Sequence, residues 1–487
     1  MIDLAVNEER LARAVARAKE KKIVLPTYAQ QKNPDLIPAS VKESLKDVGL
    51  WDINPLNLYR ITWKNQPVDK GGLYGGVNYV VLPPEITGVK AKIIGLAGKW
   101  FPTGAHKVGA TFGCLIPRLV TGQFDPTSSK AAWPSTGNYC RGGAYNSQLL
   151  ACDSIAILPE GMSKERFEWL QTVAGEIIRT PGSESNVKEI FDMCWEIKRT
   201  RDDVVIFNQF DELGNYVWHY EITGSAMVDA LREVMGSRDR LAGVVLTTGS
   251  AGTIAGGDRL KELWPESKIA AAETLQCPTL LNNGFGAHRI EGIGDKHVPW
   301  IHNVRNTDMV IAVDDNGSLA VARLFNDPVG HEYLKQQGVS PELIEKLSWL
   351  GISGISNMQG AIKFAKYYEL TEEDYVMTVF TDSMAMYQSR LEEMNQEFGP
   401  YTPVQAAVDY HRHLQAVGTD NLQELTFQDK KRVHNLKYYT WIEQQGKELD
   451  ELNAQWYDHR EYWGGLRLMV DKIDRLIEDF NRRVAGE

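Results

Sequence analysis

The chain has 487 residues, 53 of them Lys or Arg and 64 Asp or Glu, so its formal charge is −11. At 43% hydrophobic and 24% charged residues it carries enough apolar material to fill cores, which excludes a mostly disordered chain. The acidic balance argues against a nucleic-acid binder, whose footprint is a basic face, and no stretch approaches the ~18 uninterrupted apolar residues that span a bilayer.

The chain opens with a charged amphipathic run, Met1 to Lys22, which lacks the apolar core of a signal peptide. A Pro/Asn/Gly-rich stretch follows, up to about residue 80. From about Lys90 to Thr381 short apolar runs alternate with longer amphipathic ones. Strands are predicted at 91–98, 153–159, 175–181, 202–210, 241–249, 268–274, 309–315 and 374–382, and helices at 164–174, 225–235 and 361–370. Strands alternating with helices predict an α/β fold of βαβ units, with a mostly parallel sheet covered on both faces. Beyond Pro400 the pattern turns helical, polar and aromatic. Residues 466–480 place Leu466, Met469, Ile473, Leu476, Ile477 and Phe480 on one helical face. Five cysteines, Cys114, Cys140, Cys152, Cys194 and Cys277, form no C-x-x-C pair and are odd in number. Neither a disulfide framework nor a metal site is expected, and a reducing, cytoplasmic setting fits.

Four turns carry candidate chemistry. Lys107, in Thr103-Gly104-Ala105-His106-Lys107-Val108-Gly109-Ala110, precedes small and apolar residues. A lysine in an apolar pocket has a lowered pKa and can form a Schiff base with an aldehyde. Ser135-Thr136-Gly137-Asn138-Tyr139 offers hydroxyl and backbone donors to a carboxylate ahead of a helical run. Gly249-Ser250-Ala251-Gly252-Thr253 joins a strand to a helix beginning near Ile254, where free N–H groups suit a phosphate. Thr381-Asp382-Ser383 ends a strand, on the side where open α/β sheets bind ligands. Taken singly, each reads as well as a tight turn, a helix cap or a snorkelling lysine. Their joint order matches the parts of a pyridoxal phosphate site.

The chain resembles the fold-type II pyridoxal-phosphate enzymes, and within them cysteine synthase and cystathionine β-synthase, over about residues 55 to 395. Ser135 to Asn138 is similar to the family's T-S-G-N loop, and Leu158 to Ser163 to its M-P-E-x-M-S. Asn208-Gln209-Phe210, Asn215, and His219 to Gly224 follow the series D-Q-F, N, H-Y-E-T-T-G. Gly249 to Thr253 resembles the phosphate loop G-T-G-G-T, and Glu291 to Gly294 matches E-G-I-G. Thr381 to Ser383 is similar to P-D-S, and Gly104 to Lys107 looks like the lysine motif of the tryptophan synthase β subunit.

The resemblance implies two open twisted sheets. The expected organisation is a helical arm over 1–50, a large domain from 51–110 and 213–400, a small domain over 111–212, and a helical extension over 401–487. It implies pyridoxal 5'-phosphate held by Lys107 as an internal aldimine, with Lys107 also moving the α-proton. Asn138 would bond the ring hydroxyl, and Gly249, Ser250, Ala251, Gly252 and Thr253 the phosphate, with His106 touching it. Ser383 would bond the ring nitrogen. Ser135, Thr136, Gly137, Asn138, Tyr139 and Gln209 would form the substrate site. Tyr139 and Cys140 replace the family's Thr-Gly, which makes both candidate pocket residues and points to a different substrate. The implied activity is β-elimination or β-replacement on a small amino acid, cysteine-synthase-like, by a homodimer. The alternatives are a serine or threonine dehydratase or ammonia-lyase, and a non-catalytic partner subunit.

Overall fold

A computed structural model describes residues 1–182 and 186–487. Among these, eleven strands make two sheets. The first seven are β1 (Tyr79–Leu82), β2 (Lys92–Ala97), β3 (Lys130–Pro134), β4 (Ser154–Pro159), β5 (Glu176–Thr180), β6 (Val204–Ile206) and β7 (Arg240–Thr247). The remaining four are β8 (Lys268–Thr274), β9 (Met309–Val313), β10 (Asp374–Phe380) and β11 (Leu422–Glu424). The larger sheet has the order β1-β2-β10-β7-β8-β9-β11 and the smaller β5-β4-β3-β6. In the larger sheet β2, β10, β7, β8 and β9 run parallel, with β1 and β11 antiparallel at the two edges. The smaller sheet is wholly parallel.

The parallel strands are near-continuous apolar runs because both of their faces are covered. All seven residues of β10 are buried, as are all six of β4. Each fully buried Val, Ile or Leu contributes about 1.5–3 kcal/mol of hydrophobic stabilisation. The last parallel strand, β10, inserts between β2 and β7. The chain segments leaving β2, β10 and β7 therefore emerge side by side, and open α/β sheets bind ligands at such a reversal of strand order. Asn357, in the helix Ile352–Tyr367, staples two of these ends. Its Oδ1 accepts from the Thr247 N–H at 2.7 Å and its Nδ2 donates to the Val379 carbonyl at 2.7 Å.

The predicted strands 91–98, 153–159, 175–181, 241–249, 268–274, 309–315 and 374–382 are present within a few residues. The 202–210 strand is shorter, only Val204–Ile206, because the chain leaves the sheet to carry Gln209 inward. The predicted helix over 466–480 is two, His459–Arg467 and Val470–Ala485, broken at Leu468-Met469. The tail is helical apart from β11, which adds one edge strand to the larger sheet through β9.

The two ends of the chain pack on each other. The helix Glu8–Glu20 lies against Val470–Ala485, and Arg483 pairs with Glu8 at 2.8 Å. Asp474 accepts the N–H groups of Tyr28 and Ala29 at 2.7 and 3.1 Å, and Asn481 exchanges two hydrogen bonds with the Leu25 backbone. The tail also grips the segment after Gly294. Lys437, fully buried, donates to the carbonyls of Trp300 and His302 and to Gln455 Oε1 at 2.7–2.8 Å, and Trp441 Nε1 donates to the Val298 carbonyl at 2.8 Å.

Candidate active site

One cleft brings together His106, Lys107, Ser135, Thr136, Asn138, Tyr139, Gln209 and the whole of Gly249 to Thr253. Four separate turns therefore converge. β2 leads through residues 98–106 to Lys107, the first residue of the helix Lys107–Val120. The small residues of that helix have a packing cause. A Cβ at Gly113 would stand 2.5 Å from the Gly214 carbonyl, and one at Gly214 would stand 2.1 Å from the Gly113 carbonyl. The helix thus crosses Leu213–Trp218 with backbones almost touching, which seats Lys107 beside the strand ends.

Lys107 Nζ donates to Ser250 Oγ at 2.9 Å and lies 3.5 Å from Gln209 Oε1. It makes no ion pair among the described residues. Burial lowers its pKa to about 8, opposed by the charge of Asp295. His106 is held neutral, its pKa pushed well below the ordinary value by burial and then by the neighbouring Lys107. Its Nε2 lies 3.3 Å from Thr381 Oγ1, its ring packs edge-on against His219, and its Nδ1 has no partner.

The Gly249–Thr253 turn leads into the helix Ile254–Leu263. The first hydrogen bonds of that helix run from Ile254, Ala255 and Gly256 back to Ala251, Gly252 and Thr253. The five N–H groups from Gly249 to Thr253 donate to no acceptor among the described residues. Ala251 takes a left-handed conformation (φ 62°), which curls these groups into an anion-binding nest. Position 252 must be glycine, because a Cβ there would stand 2.3 Å from Asn215 Oδ1 and 2.8 Å from His219 Cδ2. Asn215 braces the turn by donating to Ser250 Oγ at 3.0 Å and to the Gln209 carbonyl at 2.9 Å. His219 opens a π-helical turn, His219–Thr223, a distortion common at functional sites.

The Ser135–Gly137 turn follows β3 and precedes the helix Asn138–Leu149. Ser135 Oγ accepts from the Gly137 N–H at 3.0 Å and from Gln209 Nε2 at 3.4 Å. Behind the turn, fully buried Arg166 donates to the Thr136 carbonyl at 3.0 Å and to the Tyr387 hydroxyl at 2.9 Å, and pairs with Glu291 at 2.6 Å. Asp382 does not cap a helix. It accepts from Asn138 Nδ2 and from the Tyr387 hydroxyl, both at 2.6 Å. That contact places the Asn138 amide nitrogen, which keeps a second N–H for a ligand, while its Oδ1 has no partner.

Ser383 is buried at the end of β10, just before a 3-10 turn over Met384–Met386, and a second hydroxyl from this strand end, Thr381, faces the cleft. One sequence expectation needs correction. Cys140 does not line the cleft. Its thiol donates back to the Gly137 carbonyl at 2.9 Å, and burial pushes its pKa up to about 12. Gly137 contributes backbone only. A Cβ at Gly137 would stand 2.3 Å from the Arg166 guanidinium, so the residue lets the turn sit flush on that side chain. The cleft also contains Ser353, Asn357 and Asp295, which the sequence pattern does not single out.

The residues present fit pyridoxal phosphate: an amine near neutrality, a nest of five free N–H groups, and the unpartnered buried atoms of Asn138 and His106. The family model described as pyridoxal-phosphate dependent enzyme matches residues 102–382, more than half of the chain. The chain belongs to the pyridoxal-phosphate-dependent enzymes. Among curated relatives, the probable cysteine synthase of Bacillus subtilis is 28% identical over 226 residues, covering 46% of this chain and 70% of that protein. Cystathionine beta-synthase of Saccharomyces cerevisiae is 26% identical over 316 residues, covering 63% of this chain but only 59% of the yeast protein. The cysteine synthase structure from Entamoeba histolytica aligns with TM-score 0.56 at 20% identity, covering 69% of this chain and 93% of that one. The O-acetylserine-dependent cystathionine beta-synthase from Helicobacter pylori aligns with TM-score 0.53 at 22% identity, covering 65% and 95%. At these identities the solved structures share the fold with this enzyme. Among the described residues, no helix is long and apolar enough to cross a membrane.

Proposed function

We propose that this enzyme eliminates or replaces the β-substituent of a small amino acid, a cysteine-synthase-like activity. The observation that carries the reading is the Lys107 amine, with its pKa lowered to about 8, in a cleft shared with the five free N–H groups of Gly249 to Thr253. Bound pyridoxal phosphate supplies an electron sink for charge developing at the amino acid's α-carbon. The chain's own groups do the rest. Gly249 to Thr253 hold the phosphate at the start of a helix. Lys107 would hold the cofactor through its aldehyde, and its amine would move the α-proton. Ser135, Thr136 and Gln209 hold the substrate carboxylate, with Arg166 fixing the turn from behind. The second N–H of Asn138 meets the ring hydroxyl. Ser383, at the end of β10, would present a neutral hydroxyl to the ring nitrogen. A neutral partner there leaves the ring a weaker sink, which favours loss of a β-substituent over reactions that need a long-lived carbanion. Tyr139 narrows the substrate side of the cleft and supports a substrate different from that of the Thr-Gly relatives.

Absorption spectroscopy tests the reading. The purified enzyme is expected to show the visible Schiff-base band, and Lys107→Ala to lose both the band and turnover. Turnover that survives in Lys107→Ala refutes the assignment. A homodimer in the cytoplasm belongs to the same proposal. The five buried, unpaired cysteines agree with a reducing compartment, and light scattering that gives a monomer mass refutes the dimer.

A further inference from the structure

The cleft is lined by a single acidic side chain, Asp295. Its surroundings hold its backbone and leave its carboxylate free. The Gly294 N–H donates to the Thr248 carbonyl at 3.0 Å, and Thr279 Oγ1 donates to the Asp295 carbonyl at 2.8 Å. A few residues on, Val298, Trp300 and His302 are gripped by Trp441 and Lys437. Asp295 is only 8% exposed, and its Oδ2 has no hydrogen-bond partner. A buried polar oxygen left unpaired costs about 1–3 kcal/mol, so it calls for a ligand or a chemical task.

The Asp295 carboxylate would be repelled by a phosphate, which the nest of N–H groups at Gly249 to Thr253 serves instead. A role as structural counter-ion is poorly served, because Asp295 and Lys107 do not come within ion-pair distance among the described residues. The ionisable groups acting on Asp295 are the Lys107 amine and the Cys277 thiol, which burial keeps protonated. Burial raises the Asp295 pKa to about 7, and the Lys107 charge opposes that rise, so both protonation states are populated near neutrality.

We propose that Asp295 is the acid–base group for the substrate's β-substituent, and that the natural substrate carries a substituent that must be protonated to leave. The inference rests on the β-chemistry proposed above. In elimination the Cβ–X bond breaks, its electron pair departs on X, and the Asp295 carboxyl passes its proton to X. In replacement the incoming H–Nu gives its proton to the Asp295 carboxylate as the Nu–Cβ bond forms, so the carboxyl returns to its starting state. An acetate leaves as a stable anion and needs no such proton, whereas a hydroxyl or a thiol does. The geometry therefore points to a free hydroxy or thiol amino acid rather than an O-acyl one.

The test compares L-serine with O-acetyl-L-serine in the holoenzyme and in Asp295→Asn. Loss of a general acid lowers the rate about 10²–10⁴-fold. That drop is expected for L-serine, with less than about a 10-fold change for O-acetyl-L-serine, since general acid catalysis matters little to a good leaving group. Exchange of the α-proton in D2O, which is the task of Lys107, should be unchanged. Added formate should restore elimination from L-serine in Asp295→Ala. In the apo protein, infrared difference spectra should show a carboxyl titrating near neutrality that Asp295→Asn lacks. Equal losses on both substrates, or loss of α-proton exchange, would make Asp295 a structural residue and overturn the proposal. So would an unchanged rate on L-serine. If the wild-type enzyme eliminates from neither amino acid, the β-chemistry itself fails, which is a different result.

Discussion

Gly252→Ala puts the phosphate nest to a quantitative test. The added methyl would stand 2.3 Å from Asn215 Oδ1, where ordinary contact begins at 3.4 Å, so the amide must retreat by roughly 1 Å. Asn215 has no slack, because its Nδ2 is committed to Ser250 Oγ at 3.0 Å and to the Gln209 carbonyl at 2.9 Å. On the other side the methyl meets His219 Cδ2 at 2.8 Å, on the π-helical turn. Overpacking of this kind costs about 1–3 kcal/mol. The strain falls on the turn that holds the phosphate, so cofactor affinity should fall by about 5- to 150-fold at about 1.4 kcal/mol per factor of ten. Titrating apo Gly252→Ala with pyridoxal phosphate, followed by tryptophan fluorescence, measures this directly. Wild-type affinity would show that the turn does not carry the phosphate, and the reading of the nest would fall.

Three further outcomes are expected. Lys107 binds fewer protons folded than unfolded between its buried pKa of about 8 and its ordinary 10.5. Apo stability should therefore rise with pH across that window, and apo Lys107→Met should melt above the wild type at pH 7. A lower melting point would contradict a desolvated amine. Arg166→Met leaves buried Glu291 with Arg390 alone and strips the donor from the Thr136 carbonyl. It should cost about 3 kcal/mol or more in denaturant unfolding, and substrate affinity should weaken with it. Asp474→Ala frees the Tyr28 and Ala29 N–H groups and should cost about 0.5–2 kcal/mol, as the loss of a cap does; limited proteolysis within residues 1–30 should then quicken, and resistance equal to the wild type would refute the tether.

Most of the parallel strands could be read from the chain because they are near-continuous apolar runs. β1, β3 and β11 could not. β1 is a four-residue edge strand followed by Pro83-Pro84, β3 is alanine-rich and ends at Pro134, and β11 has three residues and exists only through its pairing with β9. The order of the lysine, carboxylate-turn and phosphate-turn motifs was legible because each turn needs particular small or hydroxyl residues. That Thr381 also faces the cleft was not, since it depends on how the chain turns after β10. Asp295 was hidden for another reason. Asp295-Lys296 reads as a solvated charged turn, and the turn is drawn into the cleft by long-range bonds, from Gly294 to Thr248 and from Thr279 to the Asp295 carbonyl.

The packing of Glu8–Glu20 on Val470–Ala485 has a consequence for biosynthesis. Glu8 and Arg483 are partners 475 residues apart in the chain. The helix Glu8–Glu20 cannot bury its apolar stripe of Leu11, Ala14 and Ala18 against its final neighbour until Val470–Ala485 has been made. Lys437 and Trp441 also clamp the segment beyond Asp295 only late in synthesis. A nascent chain stalled before residue 430 would thus hold the Lys107 and Gly249 turns but lack the clamp on residues 298–302, so completion of the catalytic centre should wait for the segment that carries Lys437 and Trp441.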